Sequence, residues 1–245
     1  MVLLLVAFAH AEADLTRMRE DAGAKQADVA KASQSIVDLT NAFRREQGLA
    51  EVKVNDRLDA TAKAFAAFMA KELKYGHEAD GKTPSDRATA SRYDYALVLE
   101  NIAYQFQSDG ISTEQLGTDL TVGWQNSPGH RKNMLDPDVT ETGVAIARSE
   151  GGIYFAVQMF GRPKSAMIEI KVTNKSRKPI RYTLSGESFD LRARAGRTHG
   201  VARPPTITFE LPAGSKQPDE SKVKPLKATT YTITDAGDGV AVTVR

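Results

Sequence analysis

Trp124-Gln125-Asn126-Ser127-Pro128-Gly129-His130-Arg131-Lys132-Asn133-Met134-Leu135 is the stretch on which the fold of this chain turns. Proline and glycine just ahead of a histidine predict a tight irregular turn, which holds polar side chains off a packed core. The turn is expected directly after a helix over Glu114–Trp124, where Leu116, Leu120 and Trp124 share one face and Ser112 or Thr113 supplies the cap. Upstream, Ile36, Leu39 and Phe43 sit at helical spacing and Gly48 is a natural stop. A second helix is expected from Asn55 or Asp56. Leu58, Ala62, Phe65, Ala66, Met69 and Leu73 line its apolar face, and it ends before Tyr75-Gly76-His77. A short helix from Pro84 with Thr83 as its cap follows. Downstream, Gly143–Ala147 and Ile153–Phe160 are apolar runs joined across Glu150-Gly151-Gly152, a β-hairpin signal. Helices first and an antiparallel sheet later predict a layered α+β domain.

Outside this region the texture changes. Gly161-Arg162-Pro163-Lys164 marks a boundary, after which helical periodicity vanishes. Met167–Thr173, Ile180–Leu184, Thr206–Leu211, Thr229–Thr234 and Val240–Val244 read as short strands between turn-rich pieces. Residues 164–245 are therefore expected to form a small all-β domain, sandwich-like in build. At the other end, Met1–Phe8 is almost wholly apolar and small residues follow it. Residues 1–13 thus read as a signal-peptide-like segment, too short for a membrane span of about 20 residues. Residues 14–32 read as a solvated helical linker. The helix-and-hairpin domain occupies residues 33–163.

Composition narrows the chemistry. The 245 residues are 41% hydrophobic and 26% charged, the balance of a globular protein. There is no cysteine, which excludes disulfides, thiolate zinc sites and a cysteine nucleophile. The net charge of +2 supplies no strong overall field, so nucleic acid is not an expected partner. Of the four histidines, His10 belongs to the leader-like segment and His199 reads as exposed loop within Gly196–Gly200. His77 and His130 remain.

His77 after the long helix, Glu100-Asn101-Ile102-Ala103, Trp124 to Asn133, Gly143-Val144 and Gln158 to Gly161 stand in a fixed order, with Ser85-Asp86-Arg87 as a further piece. This ordered set over roughly 130 residues resembles the CAP superfamily of SCP-like extracellular domains, in its cysteine-free bacterial branch. The resemblance implies an α-β-α sandwich with a central antiparallel sheet, and an open cleft lined by two histidines and one or two glutamates. In animal members such a cluster can bind zinc or another divalent ion. His77, Glu100 and His130 match the cleft positions. Two neutral imidazoles and a carboxylate suit a divalent metal such as Zn2+ with open positions. The same trio suits proton relay near neutral pH.

The chain departs from the family pattern in two places. Ser127 and Pro128 stand where animal members carry a second glutamate, and Leu99 stands where a glycine often precedes the first. Glu141 is nearby in sequence and is not counted as a ligand. The resemblance points to a secreted or periplasmic protein that binds a small hydrophobic ligand or an envelope component. An alternative is a hydrolase in which His77, Glu100 and His130 bind a metal or act as acid and base. Neither Gly-x-Ser-x-Gly nor His-Glu-x-x-His is present to support it. A third reading gives partner binding to the β-domain, with the first domain as scaffold.

Overall fold

The computed structural model describes residues 26–218 and 228–245. The leader-like segment, His10 and residues 14–25 of the expected linker lie outside the described residues. The chain divides into two compact units between Lys164 and Ser165.

In the first unit the helices start where side chains can cap them. Helix α1, Val29–Glu46, opens on Asp28, whose carboxylate accepts from the Ala30 and Lys31 amides at 3.1 Å. That start lies ahead of the domain boundary expected at Ser33. Ala27 and Ala32 are buried in the core while Asp28, Ala30 and Lys31 are exposed, so this end of the expected linker packs one face on the domain. After β1, Lys53–Val54, Asn55 caps α2, Asp56–Glu72. Helix α3, Pro84–Ala90, opens on a capping box of Thr83 and Asp86. Helix α4 runs Thr113–Asn126 with Ser112 as its cap. The Ser-Pro-Gly-His run, expected to be an irregular turn, is instead the first turn of a helix, α5, Pro128–Met134. Proline at the first helical position lacks only an amide that would be unpaired there anyway, and turn and helix start thus share one composition.

Between these helices lies a sheet of order β1-β3-β4-β2, with β2 at Tyr95–Gln105, β3 at Glu141–Arg148 and β4 at Tyr154–Pro163. The β3–β4 pair is the expected hairpin, in register from Glu141↔Gly161 to Arg148↔Tyr154. Strand β4 is buried on both faces, as a central strand must be when helices cover each side. Its alternation sorts the core. Tyr154, Ala156 and Phe160 join Ile36, Leu116, Leu120 and Trp124 on one side. Phe155, Val157 and Met159 join Leu58, Phe65, Ala66 and Met69 on the other. This is the α-β-α sandwich. A β-carbon on Gly143 would collide with the backbone of Leu58 and Asp59, so α2 lies directly against β3.

The second unit has seven strands among the described residues: β5 Ile168–Asn174, β6 Ile180–Leu184, β7 Glu187–Leu191, β8 Gly196–Val201, β9 Ile207–Glu210, β10 Thr229–Ala236 and β11 Gly239–Val244. They form sheets β11-β10-β5-β8 and β7-β6-β9. Ile170, Val172, Ile233 and Val240 of the first sheet share a core with Tyr182, Leu184 and Phe209 of the second, a two-layer β arrangement. Strand β8 corrects the reading of His199 as exposed loop: His199 is half-buried, pairs with Ile170 and has its Nε2 2.6 Å from the Tyr182 hydroxyl. Among the described residues no helix is long and apolar enough to cross a membrane.

Candidate functional site

The site forms where the edge strand β2 meets the ends of three helices. Strand β2 pairs with β4 on one side only. Its outward carbonyls are met by side chains from the helical layers. The Glu100 carbonyl accepts from Asn133 Nδ2 at 3.1 Å. The Ile102 carbonyl accepts from the Trp124 indole at 3.1 Å and the Tyr75 hydroxyl at 3.2 Å. Helix α5 is thus docked onto the strand. Asn101 Nδ2 donates to the His130 carbonyl at 3.1 Å, and Asn133 Nδ2 donates to Asn101 Oδ1 at 2.9 Å.

The Glu100 side chain is 1% exposed, and both of its oxygens are used. Oε1 lies 2.8 Å from His77 Nδ1, and Oε2 accepts from Arg87 Nη2 at 2.7 Å. A carboxylate can only accept, so His77 Nδ1 is the donor in this bond. His77 reaches this position from the turn after α2, with its side chain 36% exposed. Arg87, on α3, is the hub of the network. Its Nη1 also donates to Asp80 Oδ1 and the Lys82 carbonyl, each at 2.7 Å, and its Nη2 donates to the His77 carbonyl at 2.8 Å. Its guanidinium lies 3.5 Å from the centroid of the Phe65 ring. Fork geometry and ring stacking are what distinguish arginine from lysine in this place.

His130 sits across from this network. The residue is buried, and its Nδ1 has no hydrogen-bond partner among the described residues. Burial first, and the neighbouring His77 second, pull its pKa below the usual 6.5, so the imidazole is neutral at pH 7. Burial also pushes the Tyr75 phenol well up, with the neighbouring Tyr104 and Glu100 adding to it, so that hydroxyl remains a hydrogen-bond donor.

Of the three residues singled out from the sequence, His77 and Glu100 are joined by a direct bond, while His130 is tied in through its backbone carbonyl, which accepts from Asn101, the residue after Glu100. Arg87 is the residue that sequence reasoning missed. Its signal is Ser85-Asp86-Arg87 behind a Thr-Pro helix start. The remaining motif residues are structural. Gln158 Nε2 donates to Thr40 Oγ1 at 3.0 Å, and the Glu141 carboxylate is taken by the Tyr93 hydroxyl at 2.7 Å. As a metal centre the donor set falls short. Among the described residues no group of three or more His, Cys, Asp or Glu is placed to hold an ion, and Glu100 is committed to Arg87 and His77.

A three-layer sandwich with a Glu100-bound histidine at its sheet edge defines the class of domain. The model of the CAP, or cysteine-rich secretory protein, family matches residues 37–160, and the chain belongs to that family. Among its relatives, YkwD of Bacillus subtilis is 31% identical over 130 residues, covering 53% of this chain and 47% of YkwD. The membrane protein YlbC of the same organism is 33% identical over 117 residues, covering 47% of this chain and 31% of YlbC. The chain therefore spans less than half the length of either relative. An outer surface protein of Borrelia burgdorferi shares the fold at TM-score 0.50 and 20% identity, over 56% of this chain and 96% of that one.

Proposed function

We propose that this CAP-domain protein works outside the cytoplasm as a binding protein, and that its ligand docks at His77 and His130 beside the β2 edge. One observation carries the reading: the His77 imidazole, its side chain 36% exposed, is held in one orientation by the buried Glu100. A half-exposed imidazole that is already oriented is suited to meet a ligand's polar group with little further ordering. The leader-like Met1–Ala13 segment and the outer-surface name of the Borrelia relative support the location. The ligand class is a small hydrophobic molecule with one polar end, or a component of the envelope.

Native mass spectrometry of the full chain, purified gently from several bacterial hosts, tests this. A bound mass is expected on the wild type and is expected to be lost in His77→Ala/His130→Ala. Ligand-free wild type from every host, or equal retention by the double variant, would overturn the reading. Zinc calorimetry separates a metal from an organic ligand. Equal heats for wild type and His130→Ala exclude the ion as the occupant of this site.

A further inference from the structure

The net charge of +2 hides an uneven distribution. From Leu191 to Phe209 the chain carries Arg192, Arg194, Arg197 and Arg203 and no Asp or Glu. The fold sets this stretch along a sheet margin. Strand β8 is the outer strand of its sheet and pairs with β5 alone. Arg192 and Arg194 lie in the turn that leads into it, Arg197 within it and Arg203 just after it, and all four are exposed. Other arginines of this unit are neutralised, Arg177 by Asp235 at 3.1 Å and Arg181 by Asp190 at 2.8 Å. No ion pair within the described residues involves Arg192, Arg194 or Arg197. Arg197 lies over the Phe189 ring at 5.1 Å, which holds its guanidinium in place. Glu187 acts on His199 at this corner, and Glu169 stands opposite Gly200 on the neighbouring strand β5.

Guanidinium groups engage phosphate oxygens in pairs and keep their charge at any physiological pH. Two further observations select among phosphate-bearing partners. Firm attachment to a membrane needs an apolar insertion beside the basic residues. The exposed large hydrophobic residues of the described chain are Val54 and Val122, both in the first unit. Binding of single-stranded nucleic acid needs exposed rings on which bases stack, and that pair of residues includes no ring. We propose that the β8 margin of the second unit binds a base-free phosphodiester polymer of the polyol-phosphate type, laid along the edge strand. The proposal is independent of the histidine site.

Binding of purified poly(glycerol phosphate) to the full chain, followed by fluorescence anisotropy, is the test. At low salt, about 50 mM, binding is expected and should weaken as salt rises, with a log–log slope of about −2 to −3 for three or four phosphates. Arg192→Gln/Arg194→Gln/Arg197→Gln is expected to lose about tenfold or more in affinity with its thermal transition unchanged. Arg177→Gln, which removes a paired arginine of the same unit, is expected to leave binding within about twofold. Absence of wild-type binding, or full binding by the triple variant, would overturn the proposal. So would equal or tighter binding to a single-stranded oligonucleotide or to phosphatidylglycerol vesicles.

Discussion

Glu100 is a buried carboxylate whose charge is met, among the described residues, by an ion pair to Arg87 and a hydrogen bond from His77. Arg87→Leu therefore leaves a buried charge with no ion-pair partner among the described residues, and removing one partner of a buried pair costs about 3–5 kcal/mol. Denaturant unfolding of the variant is expected to show that loss. Arg87→Lys should recover only part of it, since one ammonium cannot serve four acceptors in two directions. His130 gives a pH signature. Its folded pKa lies below 6.5, so below that pH the unfolded chain takes up a proton that the folded chain refuses. Stability is thus expected to be full above pH 6.5 and to fall as the pH drops through the folded pKa. His130→Gln should flatten that limb of the stability curve. If the limb is equally steep in both proteins, its source lies elsewhere. His77, Glu100 and His130 are legible in the sequence because each stands in a motif of fixed order. Arg87 stands in such a piece too, Ser85-Asp86-Arg87, but its role as hub is not legible, because its acceptors at Asp80, Lys82, His77 and Glu100 face one another only after α3 folds back over β2.

At the scale of elements, the edge strand β2 is what the site is built on. Its outward carbonyls are satisfied by Asn133, Trp124 and Tyr75, and Asn133 also links through Asn101 to the His130 carbonyl. Asn133→Ala is expected to cost about 1–3 kcal/mol. Hydrogen exchange should quicken in β2 and α5 while β4, central and buried, stays protected. Equal protection in variant and wild type would remove Asn133 as the clasp. The β3–β4 hairpin is plain in the sequence because both strands are long apolar runs. Strand β2 is not, because Glu100, Asn101 and Gln105 interrupt the apolar pattern of Leu97, Leu99 and Ala103. Those interruptions are the polar residues that an edge strand uses to bind neighbouring elements. Strands β7 and β8 are hidden for the same reason: each lies at a sheet margin and exposes most of its residues.

At the scale of the molecule, each unit encloses its own hydrophobic core, so damage to one is expected to stay there. Gly143→Ala drives a methyl into the α2 backbone and should destabilise the first unit by about 3 kcal/mol. Ile170→Ala opens the second core at a cost of about 2–5 kcal/mol. Each is expected to lower one unfolding transition and leave the other in place. The imidazole pair as the ligand's docking point is tested most directly by a long-range 1H–15N imidazole spectrum of the full chain, recorded before and after addition of a solvent extract of bacterial envelopes. Shifts of the His77 and His130 nitrogens are expected, with His199, held by Tyr182, unmoved. His77 and His130 resonances that stay in place at saturating extract would contradict it.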